Sequence, residues 1–150
     1  MNDVLESRGE ALTQFSLFTQ NKLGKLHDVI RLLNAHQVHV MALTILDATD
    51  SAIIRLVVDD PDRARILLIE HDLFYNESKV IGLEIRSETD LNRALNALLQ
   101  AEINIHYTYP FLSRPNDASA LVLSLEDPDV AAQCLCQCGF TVLNQEDVSR

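Results

Sequence analysis

Apolar residues recur along this chain with two different periods. Leu26, Val29, Ile30 and Leu33 are spaced by three and four, which places them on one face of a helix over residues 25–36. Leu91, Leu95 and Leu98 do the same for a helix over 90–101. Other stretches are short, rich in β-branched residues and Phe, and bounded by turn residues. Leu12–Thr19, Val38–Leu46 and Ser51–Val58 read as strands on that ground. Asn21-Lys22-Leu23-Gly24 and Asp47-Ala48-Thr49-Asp50 read as turns. Asp60-Pro61 starts a second helix that runs to about His71, because Asp can cap and Pro is tolerated at the first helical position. Phe74–Val80 then closes a βαββαβ series.

The remainder repeats the series. Val80–Arg86, Ile103–Phe111, Ser119–Leu125 and Phe140–Leu143 read as strands, and Ser113–Asp117 as a loop. Asp127-Pro128 opens a helix that ends near Gly139, a C-terminal cap. Leu26, Ile30, Leu33, Val38 and Val40 sit 65 residues before Leu91, Leu95, Leu98, Ile103 and Ile105, and Asp60-Pro61-Asp62 and Ala64 sit 67 before Asp127-Pro128-Asp129 and Ala131. The shift of two falls in a hairpin loop, where insertions are tolerated. Matches of this kind point to duplication. The predicted organisation is a tail over 1–11, a first unit over 12–79 and a second over 80–146. The boundary lies within what reads as one extended segment.

A βαββαβ unit folds as a four-stranded antiparallel sheet with both helices on one face, the α+β, ferredoxin-like class. The other face is bare, and alternation along the strands shows whether water can cover it. In Ser51–Val58, the set Ala52, Ile54, Leu56 and Val58 can face the helices, yet the opposite set, Ser51, Ile53, Arg55 and Val57, is still half apolar. The first sheet is therefore too apolar on both faces for full exposure. The simplest expected cover is a second copy of the chain, a homodimer. In the second unit, Asn104, His106 and Thr108 give a more polar face.

Composition narrows the function. The 150 residues are 47% hydrophobic and 23% charged, with a formal charge of −10. That is too apolar for disorder, and too acidic for a nucleic-acid surface, which needs an excess of Lys and Arg. No apolar run approaches the roughly 20 residues of a membrane helix, and Met1–Glu10 lacks the apolar stretch of a signal peptide. The expected setting is cytoplasmic. Cys134, Cys136 and Cys138 are odd in number and clustered, a poor disulfide framework, and nothing elsewhere supplies the second half of a metal site. They read as small apolar helix residues.

No catalytic constellation stands out. His27, His36, His39, His71 and His106 are scattered. Helix capping explains the acidic run Asp59–Asp62 more simply than a cation does. Tyr107, Tyr109 and Phe111 alternate on one strand and could stack RNA bases, but the scarcity of Lys and Arg makes them core or interface residues instead. The expectation is a protein that is not an enzyme and needs no cofactor or metal.

The two repeats, the turn Asn21–Leu26, the segment Ala42–Asp47, the junction Val57-Val58-Asp59-Asp60-Pro61 and the segment Ile103–Tyr107 together resemble tandem ACT-domain proteins. The resemblance covers residues 12–144. It implies a non-enzymatic sensor of small molecules, mostly amino acids, whose ligand sits at an ACT–ACT interface, against the turn after the first strand. It places a site at Asn21, Lys22, Leu23, Gly24, Lys25 and Leu26, with His39 and Val40 from the next strand. Elementary chemistry agrees at the turn. Gly24 permits close approach, and the first helical turn offers unpaired N–H groups and a favourable dipole to a carboxylate. Asn21 can orient the ligand, and Asp28 or an acid of a facing unit can pair its ammonium group. The bland alternative is a tight turn and cap.

The chain departs from the family pattern in places. Leu23 stands where Pro is common, and Gln37-Val38-His39 replaces a Gly-x-Asn pattern, so His39 stands where Asn is expected. The second copy keeps Asn104, but its loop is Ser87, Glu88, Thr89 and Asp90 after Arg86. Two acids there are unfriendly to a carboxylate, so this second site is expected to be degenerate or to bind something else. The competing functional reading is a ligand-free ACT scaffold that docks on a metabolic enzyme and regulates it.

Overall fold

A single long strand joins the two repeats. The computed structural model describes residues 11–20, 24–114 and 117–149. The elements are β1 (Leu12–Gln20), α1 (Lys25–Ala35), β2 (Val40–Asp47), β3 (Ser51–Val58), α2 (Pro61–Glu70), β4 (Tyr75–Glu84), α3 (Glu88–Gln100), β5 (Ile105–Pro110), β6 (Ala120–Leu125), α4 (Pro128–Gln137), β7 (Val142–Leu143) and α5 (Gln145–Val148). The strands read at 74–80 and 80–86 are one strand, β4. Its first half pairs with β1, from Leu12↔Val80 to Leu17↔Tyr75, and its second half with β6, from Ile81↔Leu123 to Glu84↔Ala120. The 79/80 position lies inside it.

Each unit has the expected antiparallel topology. Strand order is β2-β3-β1-β4 in the first unit and β7-β4-β6-β5 in the second. Phe15, Leu17, Ile54 and Leu56 bury one face of the first sheet against Val29 and Leu33 of α1 and Ala64, Leu67 and Leu68 of α2. Ile81, Leu83, Leu123 and Leu125 do the same with α3 and α4.

The cover for the bare face comes from the chain itself. Leu12, Ala42 and Val57 of the first sheet pack with Tyr109 and Val122 of the second, helix-free face against helix-free face. Ala42 bridges to Phe111, and the Leu112 N–H donates to the Met41 carbonyl at 2.8 Å. The expectation that a second copy supplies this cover is corrected: sequence alternation shows that a face is apolar, not which element meets it. Tyr109 is only 4% exposed, so the alternating aromatics form no open stacking platform. They are interface residues between the two units.

The short α5 was not legible in the sequence, being too brief for a period. It closes one end of this interface. Gln145 accepts from the Thr13 N–H at 3.2 Å and donates to the Val58 carbonyl at 3.1 Å, while Val148 is buried. Among the described residues, no helix is long and apolar enough to cross a membrane.

The four longer helices share one ending. Gln37, Asp72, Glu102 and Gly139 all adopt positive φ, at 59°, 53°, 58° and 88°. The residue after each donates back across the last turn: Val38 to Leu33, Leu73 to Leu68, Ile103 to Leu98 and Phe140 to Leu135. This six-to-one closure satisfies carbonyls the helix leaves open. Gly139 is the cap expected from sequence. Gln37 shows that the backbone shape associated with the missing Gly is kept without it. A side chain in the left-handed region costs about 1–2 kcal/mol, partly offset by the entropy cost of Gly. Glu102→Gly should therefore stabilise the protein by about 1 kcal/mol, seen in thermal unfolding as a midpoint about 2–4 °C higher.

Candidate functional site

At the end of β1 the chain turns into α1 through Gly24, which occupies the cap position with φ 85° and ψ −5°. A Cβ there would meet nothing within 4 Å, so backbone conformation, not crowding, calls for glycine. Having no side chain, Gly24 makes no cap bond to the first turn of α1. Lys25 and Leu26 are half-buried in that turn, and Asp28 is exposed. Asn21, Lys22 and Leu23 lie outside the described residues. Sequence reasoning missed one neighbour. Thr19, on the helix side of β1 just before the turn, has a buried hydroxyl without a hydrogen-bond partner.

His39 and Val40 do not join this group. They lie where β2 starts, beside the end of β3, whereas Gly24 lies beyond the end of β1, at the opposite end of the sheet. Helix α1, with its 11 residues, runs between the two ends, a span of roughly 16 Å. An amino-acid-sized ligand cannot touch both within one unit. His39 has a local partner instead. Its N–H donates to Asp59 Oδ1 at 2.7 Å and its ring Nδ1 to Oδ2 at 2.9 Å, and the Asp59 N–H returns a bond to the His39 carbonyl. The His39 ring is 52% exposed and the Asp59 side chain 5%. Val40 packs into the first core.

The second unit repeats this clamp with different residues. The Asn104 N–H donates to Glu126 Oε1 at 2.9 Å, and the Glu126 N–H donates to the Asn104 carbonyl at 3.1 Å. Asn104 and His39 thus share a strand-pinning role at equivalent positions. The acid partners were the unread half of the pattern: a carboxylate one residue past the third strand of each repeat.

The second turn is closed by its own side chains. Ser87 caps α3, which starts at Glu88 rather than Asp90, by accepting the Asp90 N–H at 3.2 Å. The Asp90 carboxylate accepts the Arg86 N–H at 3.1 Å and pairs with Arg93 at 3.3 Å. Thr89 lies in the same first turn. An incoming carboxylate would compete with these groups for the same donors. Beside Ser87 and Glu88 there is nonetheless a cleft of about 500 Å³. Ile85, Leu91 and Leu121 line it, together with the exposed Arg86 and Arg114.

Other candidate chemistry is quiet. Cys134, Cys136 and Cys138 are free thiols, and burial pushes the Cys134 thiol upward. No group of three potential metal-binding side chains occurs among the described residues. Asp60 caps α2 through the Arg63 N–H at 3.1 Å, as expected. Asp127 does not cap α4; it takes φ 48° and makes no side-chain cap bond.

Comparison with known proteins follows the same lines. A family model described as an ACT domain pair matches residues 10–150. Among solved structures, protein BT0572 from Bacteroides thetaiotaomicron superposes with a TM-score of 0.84 at 26% identity, over 93% of this chain and 96% of that one. The ligand-free regulatory subunit of aspartate kinase from Thermus thermophilus superposes with a TM-score of 0.61 at 12% identity, over 85% and 91%. The corresponding subunit from Thermus flavus gives 0.56 at 13%, over 87% and 94%. These two share the fold with the chain. No curated protein matches it.

Proposed function

The chain belongs to the ACT domain pair family, and from that premise we propose that it is a regulatory protein that catalyses no reaction and binds an amino acid or a close relative at the turn between β1 and α1. One observation carries this reading. Gly24 leaves the first turn of α1 without a side-chain cap, whereas Ser87 and Asp90 fill the equivalent place on α3. A ligand carboxylate suits the first turn's open N–H groups. The unpartnered Thr19 hydroxyl close by supports it. Lys25, Leu26, Asp28 and the flanking Asn21, Lys22 and Leu23 would frame the ligand. His39 enters such a site only if a second chain brings it there.

A thermal-shift screen of the amino acids tests this. A ligand at 100 times its Kd adds about 2.7 kcal/mol, which raises the midpoint by several degrees in a chain of this size. Gly24→Val forces a β-branched residue into the left-handed region, lowering the unliganded midpoint and removing the ligand's increment. No shift with any amino acid would count against the proposal.

Two further readings have specific support. The cleft beside Ser87 and Glu88 is lined by Arg86 and Arg114 among others, which favours it as the alternative place for the single ligand. The outer helix faces carry exposed Ile66 and Ile69 on α2 and Leu95 and Leu99 on α3, which favours docking on another protein, such as a metabolic enzyme. Homodimerisation now rests on those helix faces, since much of the bare sheet face is covered within the chain.

A further inference from the structure

The second sheet covers only part of the helix-free face of the first, and an unusual corner remains outside the cover. Directly paired residues point to the same face of a sheet. One such row is Thr44, Arg55, Ser16 and Asn76. The next row toward the β2–β3 turn is Leu46, Ile53 and Phe18. Phe74 continues it, since its carbonyl accepts the Phe18 N–H at 2.9 Å. The cover from the second sheet reaches Arg55 through Tyr107, whose ring centre lies 3.9 Å from the guanidinium carbon. Beyond that point Phe18, Leu46 and Phe74 are 44%, 52% and 80% exposed.

Arg55 is half-buried, and its Nε is shielded from solvent with no hydrogen-bond partner. Several described acids are paired with other residues: Glu77 with Arg65, Asp90 with Arg93 and Asp59 with His39. A buried donor without a partner is costly. In a chain of formal charge −10, a half-buried arginine with no ion pair among the described residues is out of keeping with its surroundings. Its row neighbours are two hydroxyls and an amide, each able to donate.

We propose that this corner binds a small organic anion with an apolar body. The anionic group, carboxylate or phosphate, meets Arg55 with Thr44, Ser16 and Asn76 around it. The apolar body lies on Leu46, Ile53, Phe18 and Phe74. A second copy of the chain fits less well. The exposed part of the apolar row amounts to on the order of a few hundred Å², against the ~800 Å² per partner of a stable interface. A twofold contact centred here would also bring one Arg55 toward the other. The corner lies on the opposite face of the sheet from α1, so it is separate from the Gly24 turn.

The test titrates phenylpyruvate, phenyl phosphate and neutral benzyl alcohol into the full-length protein at low ionic strength. Saturable binding of at least one anion, with a Kd raised about tenfold or more in Arg55→Gln and unchanged in Gly24→Val, is expected. Binding of phenyl phosphate alone assigns a phosphate ligand, and of phenylpyruvate alone a carboxylate. Methyl NMR of the wild-type protein reads the same outcome without a variant: Leu46 and Ile53 should move first. The proposal is overturned if neither anion saturates, if benzyl alcohol binds equally well, if Arg55→Gln leaves the Kd unchanged, or if the shifts centre elsewhere. Dimerisation that Phe74→Ser abolishes would overturn it too, by giving the row to a second copy.

Discussion

Gln14→Leu is expected to destabilise the protein by about 3 kcal/mol, lowering the thermal midpoint by about 6–12 °C. Gln14 is fully buried between the two sheets. Its carbonyl oxygen accepts from the Tyr109 hydroxyl at 2.6 Å, and its amide donates to the Tyr107 hydroxyl at 2.7 Å and to Ser78 at 3.2 Å. Leucine would fill similar space but strand the Tyr109 hydroxyl in a site where burial already pushes its pKa well above the tyrosine range. A double-mutant cycle separates the loss of a partner from the loss of shape. Adding Tyr109→Phe should return about 1 kcal/mol, because the most deeply buried of the stranded hydroxyls is then gone. Additive costs would mean that this contact does not hold the sheets together.

Gly82→Val should cost about 2–3 kcal/mol by overpacking. Gly82 sits in the strand common to both units, opposite Val122 on one side and Leu143 on the other. A Cβ there would lie 3.0 Å from the Leu143 Cβ and 3.1 Å from a Leu12 methyl carbon. These separations are tighter than ordinary van der Waals contact, so Leu143, Leu12 or the strand itself must give way. Because β4 belongs to both sheets, the damage should spread to both units. Calorimetry should show one transition at a lower midpoint, with calorimetric and van't Hoff enthalpies still equal. Two separated transitions, with only one of them moved, would mean that the units fold independently.

The duplicated architecture was legible because helix and strand periods are local. Leu26, Ile30 and Leu33 announce their helix without reference to anything distant. The partner of the bare sheet face was not legible, since Ala42, Val57, Tyr109 and Val122 meet only through the folding of one repeat onto the other. His39 illustrates a different limit. The family resemblance marked it as a possible ligand contact, but the Asp59 carboxylate that holds it comes 20 residues later. Gln37 illustrates a third. The loss of a glycine looked like the loss of a motif, yet the left-handed backbone persists in both copies. Arg55 could not be singled out at all. Its interest depends on where the acids of the chain have gone, which only the packed structure tells.

The most direct test of the proposed sensor role is calorimetric titration of the amino acid that shifts the midpoint, into wild type, Gly24→Val and Arg86→Gln. The account predicts one ligand per chain, binding lost in Gly24→Val and retained in Arg86→Gln. Two ligands per chain, or binding that survives Gly24→Val and disappears in Arg86→Gln, would contradict it and move the site to the cleft beside Ser87.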